Sequence, residues 1–381
     1  MNTPPGLFKA QYPAVRRVVV TGQVGVDKKP FLERVVQIAV RDAQRLRLFN
    51  VGDMMYAEAP DVVPGRILDL PLGRLNTLRR AAFKDILAAA EGPEHLLINT
   101  HATFRWKHGL FFAFDYDQMA ALDADLYVTL VDNVDAVHER LQRDHDVAHT
   151  LKDILVWREE EILATEIMAT ALKGHGRFYI LARAEERDTA EALHRLIFEP
   201  QRKKVYPSFP MTHVMDEPSV LAEINAFREV LGEHFITFDP GDVDEKGLLV
   251  AAGAAEKRGE VRIVWPVNGR QITFNVRDIT SVASDIDGQI YARDFKLIDQ
   301  SDMIVSFIPA MPNGRPALSS GVERELQHAH EATKEVYVVW RPEAAPSPFI
   351  TETATRMFRT LRELMHFFQQ KGYVGDYQLP L

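Results

Sequence analysis

The chain alternates between short, wholly apolar runs and longer segments in which apolar positions recur every three or four residues. Arg17–Thr21 (RVVVT) has the pattern of a buried strand, and Phe31–Arg45 follows with helical spacing. Leu96–Asn99 and Leu126–Val131 are further apolar strands, each leading to a polar turn. Asn133–Arg143 and Leu151–Leu172 read as helices, Arg177–Leu181 as a strand, and Asp188–Phe198 as a closing helix. Such alternation predicts a parallel sheet covered by helices on both faces.

Glu199–Lys204 (EPQRKK) is polar, contains a proline and interrupts the pattern, which then restarts. Strand Val205–Ser208, helix Ser219–Leu231, strand Phe235–Phe238 and helix Glu245–Lys257 come first. Two β-rich runs within Val261–Val276 flank Asn268-Gly269, a strong two-residue hairpin signal. Strand Met303–Ile308, helix Gly321–Thr333, strand Val336–Trp340 and one long helix over Thr351–Gln370 complete the chain. No internal repeat or low-complexity tract is visible. The 381 residues exceed what one hydrophobic core usually serves. The expected fold is α/β, with two doubly wound parallel-sheet domains over residues 15–198 and 203–381.

Composition narrows the chemistry. The net charge of −9 and the absence of a long basic run argue against a nucleic-acid partner, while leaving room for a local phosphate pocket. With no cysteine, disulfides, thiolate zinc sites and a cysteine nucleophile are excluded. The opening MNTPPGLFKAQYPAVRR lacks the apolar centre of a signal peptide, and no apolar run is long enough to span a bilayer. A cytoplasmic protein with no membrane partner is the expectation.

The turn between the first strand and first helix is where a phosphate-binding loop of pattern G-x-x-x-x-G-K-[ST] belongs. It reads Gly22, Gln23, Val24, Gly25, Val26, Asp27, Lys28, Lys29. The first glycine and the lysine match. Asp27 stands at the last glycine, and Lys29 at the hydroxyl that would hold Mg²⁺ between phosphates. Alone, such a loop is no more than a tight turn with a solvated lysine. Three further stretches change its weight: FNVGDMMY at Phe49–Tyr56, INTHATFRWKHG at Ile98–Gly109 and LDADLYVTLVDNVDAVHERL at Leu122–Leu141. With them, residues from about Arg17 to Phe198 resemble archaeal-type adenylate kinases and their P-loop relatives. The resemblance implies that Gly22, Gly25 and Lys28 cradle phosphates. It also implies that Asp53 and His101 lie near a second nucleotide, and Arg140 and Arg143 near a lid. It departs from the family at Asp27, at Lys29, and at Asn99, where such kinases usually carry an acid. A domain that keeps a pocket for ATP or another nucleotide, with or without Mg²⁺, but has lost efficient phosphoryl transfer is the reading favoured.

In the second half, three stretches each lie at or near the end of an expected strand. They are VYPSFPMTHV (Val205–Val214), YARDFKLIDQSDMIVSFI (Tyr291–Ile308) and LSSGVERELQHAHEATKEVYVVW (Leu318–Trp340). Open α/β sheets bind ligands at those ends. Together they resemble the nucleoside 2-deoxyribosyltransferases and, within that family, the 2′-deoxynucleoside 5′-phosphate N-hydrolases. The resemblance covers most of Lys203–Pro342, with the hairpin as an insertion, and implies a flavodoxin-like domain. It makes Glu325, in ELQHA, the nucleophile, with Gln327 in place of a family glycine that affects pocket width or helix packing. Asp294 is the acid, with Asp302 at the strand entrance, and Tyr206 orients the nucleophile. Ser319, six residues before Glu325, and the helix start at Gly321 would hold a 5′-phosphate. The chemistry suits the residue types: a carboxylate beneath an anomeric carbon stabilises or traps an oxocarbenium-like centre, and a second acid protonates the departing base.

Other polar groups have plainer readings. Ser320 with Glu323 forms an S-x-x-E capping box, and Val322, Leu326 and Ala329 form the core face of that helix. His328 and His330 are surface residues with no third metal ligand, and no metal site is expected. His213 lines the pocket or packs a loop. Asp285 and Asp287, in SDIDG, mark a turn. The expected function is N-glycosidic cleavage of a nucleoside monophosphate or related nucleotide, needing no cofactor and carried out by a homo-oligomer. A bifunctional protein with an active kinase half and a non-enzymatic nucleotide-sensing assembly are the alternatives.

Overall fold

The computed structural model describes residues 17–63, 65–106, 109–145, 149–184, 188–211 and 214–375. His213 lies outside the described residues. The first half carries strands β1 (Arg17–Thr21), β2 (Leu46–Asn50), β3 (His95–Asn99), β4 (Thr103–Trp106), β5 (Gly109–Phe112), β6 (Leu126–Val131) and β7 (Phe178–Ala182). Its helices are α1 (Lys28–Arg41), α2 (Val51–Ala57), α3 (Leu72–Ala90), α4 (Tyr116–Leu122), α5 (Val134–His145), α6 (Leu151–Lys173) and α7 (Ala190–Phe198). Five of these strands form a parallel sheet in the order β2-β3-β1-β6-β7, and β4 and β5 form a separate hairpin. All six residues of β6 are buried, as a strand covered on both faces requires.

The second half carries β8 (Lys204–Ser208), β9 (Ile236–Thr237), β10 (Arg262–Val267), β11 (Arg270–Asn275), β12 (Met303–Ile308), β13 (Glu335–Trp340) and β14 (Arg356–Phe358). The helices are α8 (Pro218–His234), α9 (Lys246–Lys257), α10 (Val276–Thr280), α11 (Ala283–Asp299), α12 (Ser320–Glu331), α13 (Pro348–Thr351) and α14 (Leu361–Gln370). Its sheet is again parallel, in the order β9-β8-β12-β13-β14. This is one of the two common orders of doubly wound sheets, and its reversal point lies beside β8. The hairpin β10–β11 turns at Asn268, in left-handed conformation, and Gly269.

Two expectations fail here. The single long helix over Thr351–Gln370 is divided, because Arg356–Phe358 adds a strand alongside Tyr337–Val339 and Thr360 caps a new helix by accepting the Glu363 N–H. Asp285 and Asp287 lie within α11 rather than in a turn, and they pair with Lys152 and Lys246. The two sheets share one continuous apolar core. Edge strand β7 is covered by the Gln300 side chain, which accepts the Ile180 N–H at 2.9 Å and donates to the Ile180 carbonyl at 2.8 Å. That amide stands in for a missing neighbouring strand. No described helix is long and apolar enough to cross a membrane.

Candidate functional site

Residues Tyr206 and Ser208 are two apart on β8 and therefore share a face. Both point at α12. Tyr206 Oη donates to Glu325 Oε1 at 3.0 Å and Ser208 Oγ donates to Oε2 at 2.6 Å. Glu325 as a residue is half-buried, with its carboxylate turned inward between the two hydroxyls. Burial pushes that carboxyl up to about 8, and the charge of Asp294 adds to the rise. The two hydroxyl donors oppose it, because they stabilise the ionised form. Tyr206 is fully enclosed, and burial followed by the Glu325 charge holds its phenol well above the usual range.

Asp294, on α11, is buried, and its Oδ1 has no hydrogen-bond partner among the described residues. Burial pushes its carboxyl up to about 6, with Arg293 opposing and Asp244 adding to the rise. The Asp294 charge reaches Glu325, and the two carboxyls have separated pKa values with Glu325 the higher, so Glu325 keeps its proton to the higher pH in the unliganded protein. The sequence reading paired Tyr206 with Glu325 but assigned nothing to Ser208. The strand alternation that carries Tyr206 to the helix carries Ser208 with it, and that signal was present in VYPS.

Around this trio several assignments change. The capping residue of α12 is Ser319, whose Oγ accepts the Val322 N–H at 3.3 Å, so the helix starts one residue earlier than an S-x-x-E box at Ser320 and Glu323 requires. Ser319 thus has a structural duty besides any contact with phosphate. A Cβ added at Gly321 would meet only the Ser319 hydroxyl, at 3.6 Å. Gln327 is exposed and donates to Glu331, so it narrows no pocket. Asp302 accepts the Lys204 N–H at 2.8 Å and ties the start of β8 to that of β12. His328 stacks on Phe295 and meets Asp299 at 2.8 Å, whereas His330 is exposed. A cavity of about 450 Å³ opens past the end of β8, and none of Tyr206, Ser208, Glu325 and Asp294 is among its lining residues. It is formed by Phe209–Met211 after β8, Asp242, Asp244 and Lys246 after β9, Trp265 of the hairpin, and Asn133 and Ala184 from the first half.

A second cavity, of about 360 Å³, opens at the loop between β1 and α1. Gly22 and Gly25 have φ of 143° and 87°, and a Cβ on either would stand within 2.9 Å of Leu130 O or Leu141 Cγ. Both positions therefore require glycine. Asp27 is left-handed as well, with φ of 62°, a conformation that aspartate tolerates better than most residues. The buried Lys28 donates to Gly22 O at 2.6 Å and lies 3.4 Å from the His101 ring, and burial lowers its ammonium to about 8. Buried Glu161 receives the N–H groups of Gly22, Ala102 and Thr103 at 3.2, 2.7 and 2.9 Å.

Lys29, at the position of the expected hydroxyl, forms an exposed ion pair with Asp53 at 2.7 Å, and Asn99 donates to Asn50 at 2.8 Å. An ammonium and two amides suit a divalent cation poorly. Among the described residues no group of three or more His, Asp or Glu side chains is disposed to hold a metal ion. Arg140 and Arg143 do not line this cavity. Arg140 is buried against Asp132, the Gly25 carbonyl and Asn268, and Arg143 pairs with Glu139 and Asp144.

No protein-family model matches the chain. Among characterised proteins it is similar to the adenylate kinase of Pyrococcus furiosus, 28% identical over 189 residues, which is 47% of this chain and 92% of that protein. The adenylate kinases of Pyrococcus abyssi and Thermococcus onnurineus are each 26% identical over the same shares. Solved structures that overlap about half of the chain include a gluconokinase from Sinorhizobium meliloti (14% identity, TM-score 0.32, 49% of this chain and 97% of that one). A shikimate kinase from Acinetobacter baumannii in complex with shikimate overlaps similarly (13% identity, TM-score 0.34, 48% and 93%). The N-terminal half of the chain thus resembles adenylate kinases.

Proposed function

We propose that this protein cleaves the N-glycosidic bond of a nucleoside monophosphate or related nucleotide at Glu325. The observation that carries the reading is the enclosed Glu325 carboxyl held by Tyr206 and Ser208 hydroxyls, with Asp294 beside it. The reactive form carries its charge on Glu325 and its proton on Asp294, the reverse of the order in which the two carboxyls hold their protons in the unliganded protein, and in the first step the Glu325 carboxylate bonds to the anomeric carbon. The carbon–nitrogen bond breaks, and the base departs with the bonding electrons and a proton from Asp294. In the second step water adds to the anomeric carbon, its proton returns to Asp294, and the carboxylate is released. Tyr206 and Ser208 are positioning residues that hold both carboxylate oxygens in line. Ser319 and the first turn of α12 favour a phosphorylated substrate, because a hydroxyl and backbone N–H groups there act only on a phosphate.

In this reading residues 203–381 form a flavodoxin-like, deoxyribosyltransferase-like unit. Residues 15–198 form a nucleotide-holding unit with little phosphoryl transfer, a view supported by the Lys29–Asp53 pair and the neutral Asn99. The test is incubation of the intact chain with a panel of ribo- and deoxyribonucleoside monophosphates, with chromatography for free base. Release that is lost in Glu325→Gln is the expected result. Absence of release from every monophosphate and nucleoside would sink the reading.

A further inference from the structure

The cavity past the end of β8, where Phe209 follows Ser208, is not built by the second half alone. Trp265 projects into it from the β10–β11 hairpin, and Asn133 and Ala184 enter from the ends of β6 and β7. Its volume of about 450 Å³ falls in the range of small-molecule sites, roughly 300–1,000 Å³. The flat and apolar parts of its wall include Phe209, Met211, Leu221, Ile224 and Trp265. Trp265 is fixed from the other half of the chain: its indole Nε1 donates to Asp135 Oδ2 on α5 at 2.8 Å. Its six-membered ring also lies over Gly247, where an added Cβ would stand 3.4 Å from it. Asn133 Oδ1 is buried and has no hydrogen-bond partner among the described residues, so an acceptor is left in this wall for a ligand N–H. Asp244, on the same wall, is close enough to raise the Asp294 carboxyl.

We propose that this cavity takes the planar nucleobase, with Trp265 as a stacking surface and Asp135 as its positioning residue, so that the kinase-like half completes the substrate pocket. The inference rests on the glycosidic reading of Glu325 for its choice of ligand. A flat, polarisable indole held at one edge suits a heteroaromatic ring, and the neighbouring Asn133 carbonyl and Asp244 carboxylate suit its N–H edge.

The experiment is equilibrium dialysis of the intact chain with free adenine and free cytosine, repeated on Trp265→Ala, Trp265→Phe, Asp135→Ala and Asp135→Asn, with near-ultraviolet circular dichroism to check folding. Base–aromatic stacking of ordinary strength predicts that Trp265→Ala weakens base binding roughly tenfold, and that Trp265→Phe stays within about threefold of the parent. Asp135→Ala should weaken binding, and Asp135→Asn should restore it, because an amide oxygen still accepts the indole N–H. A parent that binds neither base, or a folded Trp265→Ala that binds as the parent does, overturns the proposal. If bases bind through Trp265 yet no nucleotide is cleaved, the pocket stands and the glycosidic reading of Glu325 falls. If nucleotides are cleaved with KM unchanged in Trp265→Ala, the reverse holds.

Discussion

Replacing Glu325 with glutamine separates the chemistry of the site from its effect on the fold. The carboxyl has a pKa of about 8 in the folded protein, against an ordinary 4.5, with burial as the main cause. Folded protein therefore keeps a proton that the unfolded chain releases across that interval. Stability from this group is full below pH 4.5 and is lost as the pH rises towards 8. The two values set an upper limit of about 5 kcal/mol on the loss above pH 8. Relaxation of the surroundings of a buried charge, which responds as if in a medium of dielectric about 20, reduces the expected figure to about 2 kcal/mol. Glutamine is the same size, accepts the Ser208 hydroxyl and donates to the Tyr206 oxygen, yet never ionises. Glu325→Gln should then melt several degrees above the parent at pH 8, with the difference shrinking to nothing near pH 4.5, while base release disappears. Melting by calorimetry at four or five pH values is sufficient. A variant no more stable at pH 8, or a gap that does not change with pH, would show that the carboxyl is not desolvated as described.

The pH dependence of kcat/KM for base release should be bell-shaped, with flanks near 6 and 8 that belong to the Asp294–Glu325 pair rather than to either residue. Tyr206→Phe and Ser208→Ala should each move the upper flank higher, and an unmoved flank would remove those hydroxyls from the site. Ser319→Ala should cost about 1 kcal/mol of stability through loss of the helix cap, as well as reducing turnover of monophosphates. Ser319→Asp keeps a cap and should fold like the parent while losing monophosphates selectively, so equal losses on nucleosides would limit Ser319 to capping. Phosphoryl transfer from ATP to AMP should be weak or absent in a coupled assay, and robust turnover abolished by Lys28→Ala would establish an active kinase half. Glu245→Ala should lower stability by about 3–5 kcal/mol in denaturant unfolding, because it strands the buried Arg158, and a change below about 1 kcal/mol would show that solvent reaches that pair.

The central strands of both sheets were legible because parallel strands covered on both faces are continuous apolar runs. Met303–Ile308 and Leu126–Val131 agree with the expected bounds at both ends. Elements at the margins were harder to see. Leu46–Asn50 mixes arginine and asparagine into an edge strand, and Phe235–Phe238 pairs only over Ile236–Thr237. Helix α11 begins with SDIDG, whose small and acidic residues favour turns locally but here gain two lysine partners from distant segments. No local pattern carries that information. The Tyr206–Glu325 contact could be anticipated from resemblance, and its distance of 3.0 Å could not. Trp265 and Asp135, 130 positions apart in sequence, become neighbours only through the packing of the two halves.

That packing sets buried charges beside the shared apolar core. Asp132, Arg140, Arg158, Glu245 and Arg293 are all buried where the halves meet. Arg158 bridges the Asp132 carbonyl and Glu245 at 3.1 and 2.7 Å, and Glu245 also accepts the Val134 N–H at 2.9 Å. Arg140 joins the Gly25 carbonyl of the phosphate loop, Asp132 and the hairpin tip Asn268, at 2.9, 2.7 and 3.0 Å. Apolar surfaces tolerate sliding, because non-directional attraction given up at one point returns at another. Buried charges do not, since a shift of one residue strands a desolvated group at a cost of several kcal/mol. The network therefore fixes the halves in one register, with the phosphate loop at one end. At the other end is Glu245, next in sequence to the Asp244 that lines the cavity past the end of β8. A ligand that displaces Gly25 must break or re-aim the Arg140 bonds, and Asn268 holds the turn of the same hairpin that carries Trp265. The two cavities are thus connected through a short chain of directional bonds, and neither half in isolation presents the site that the intact chain does.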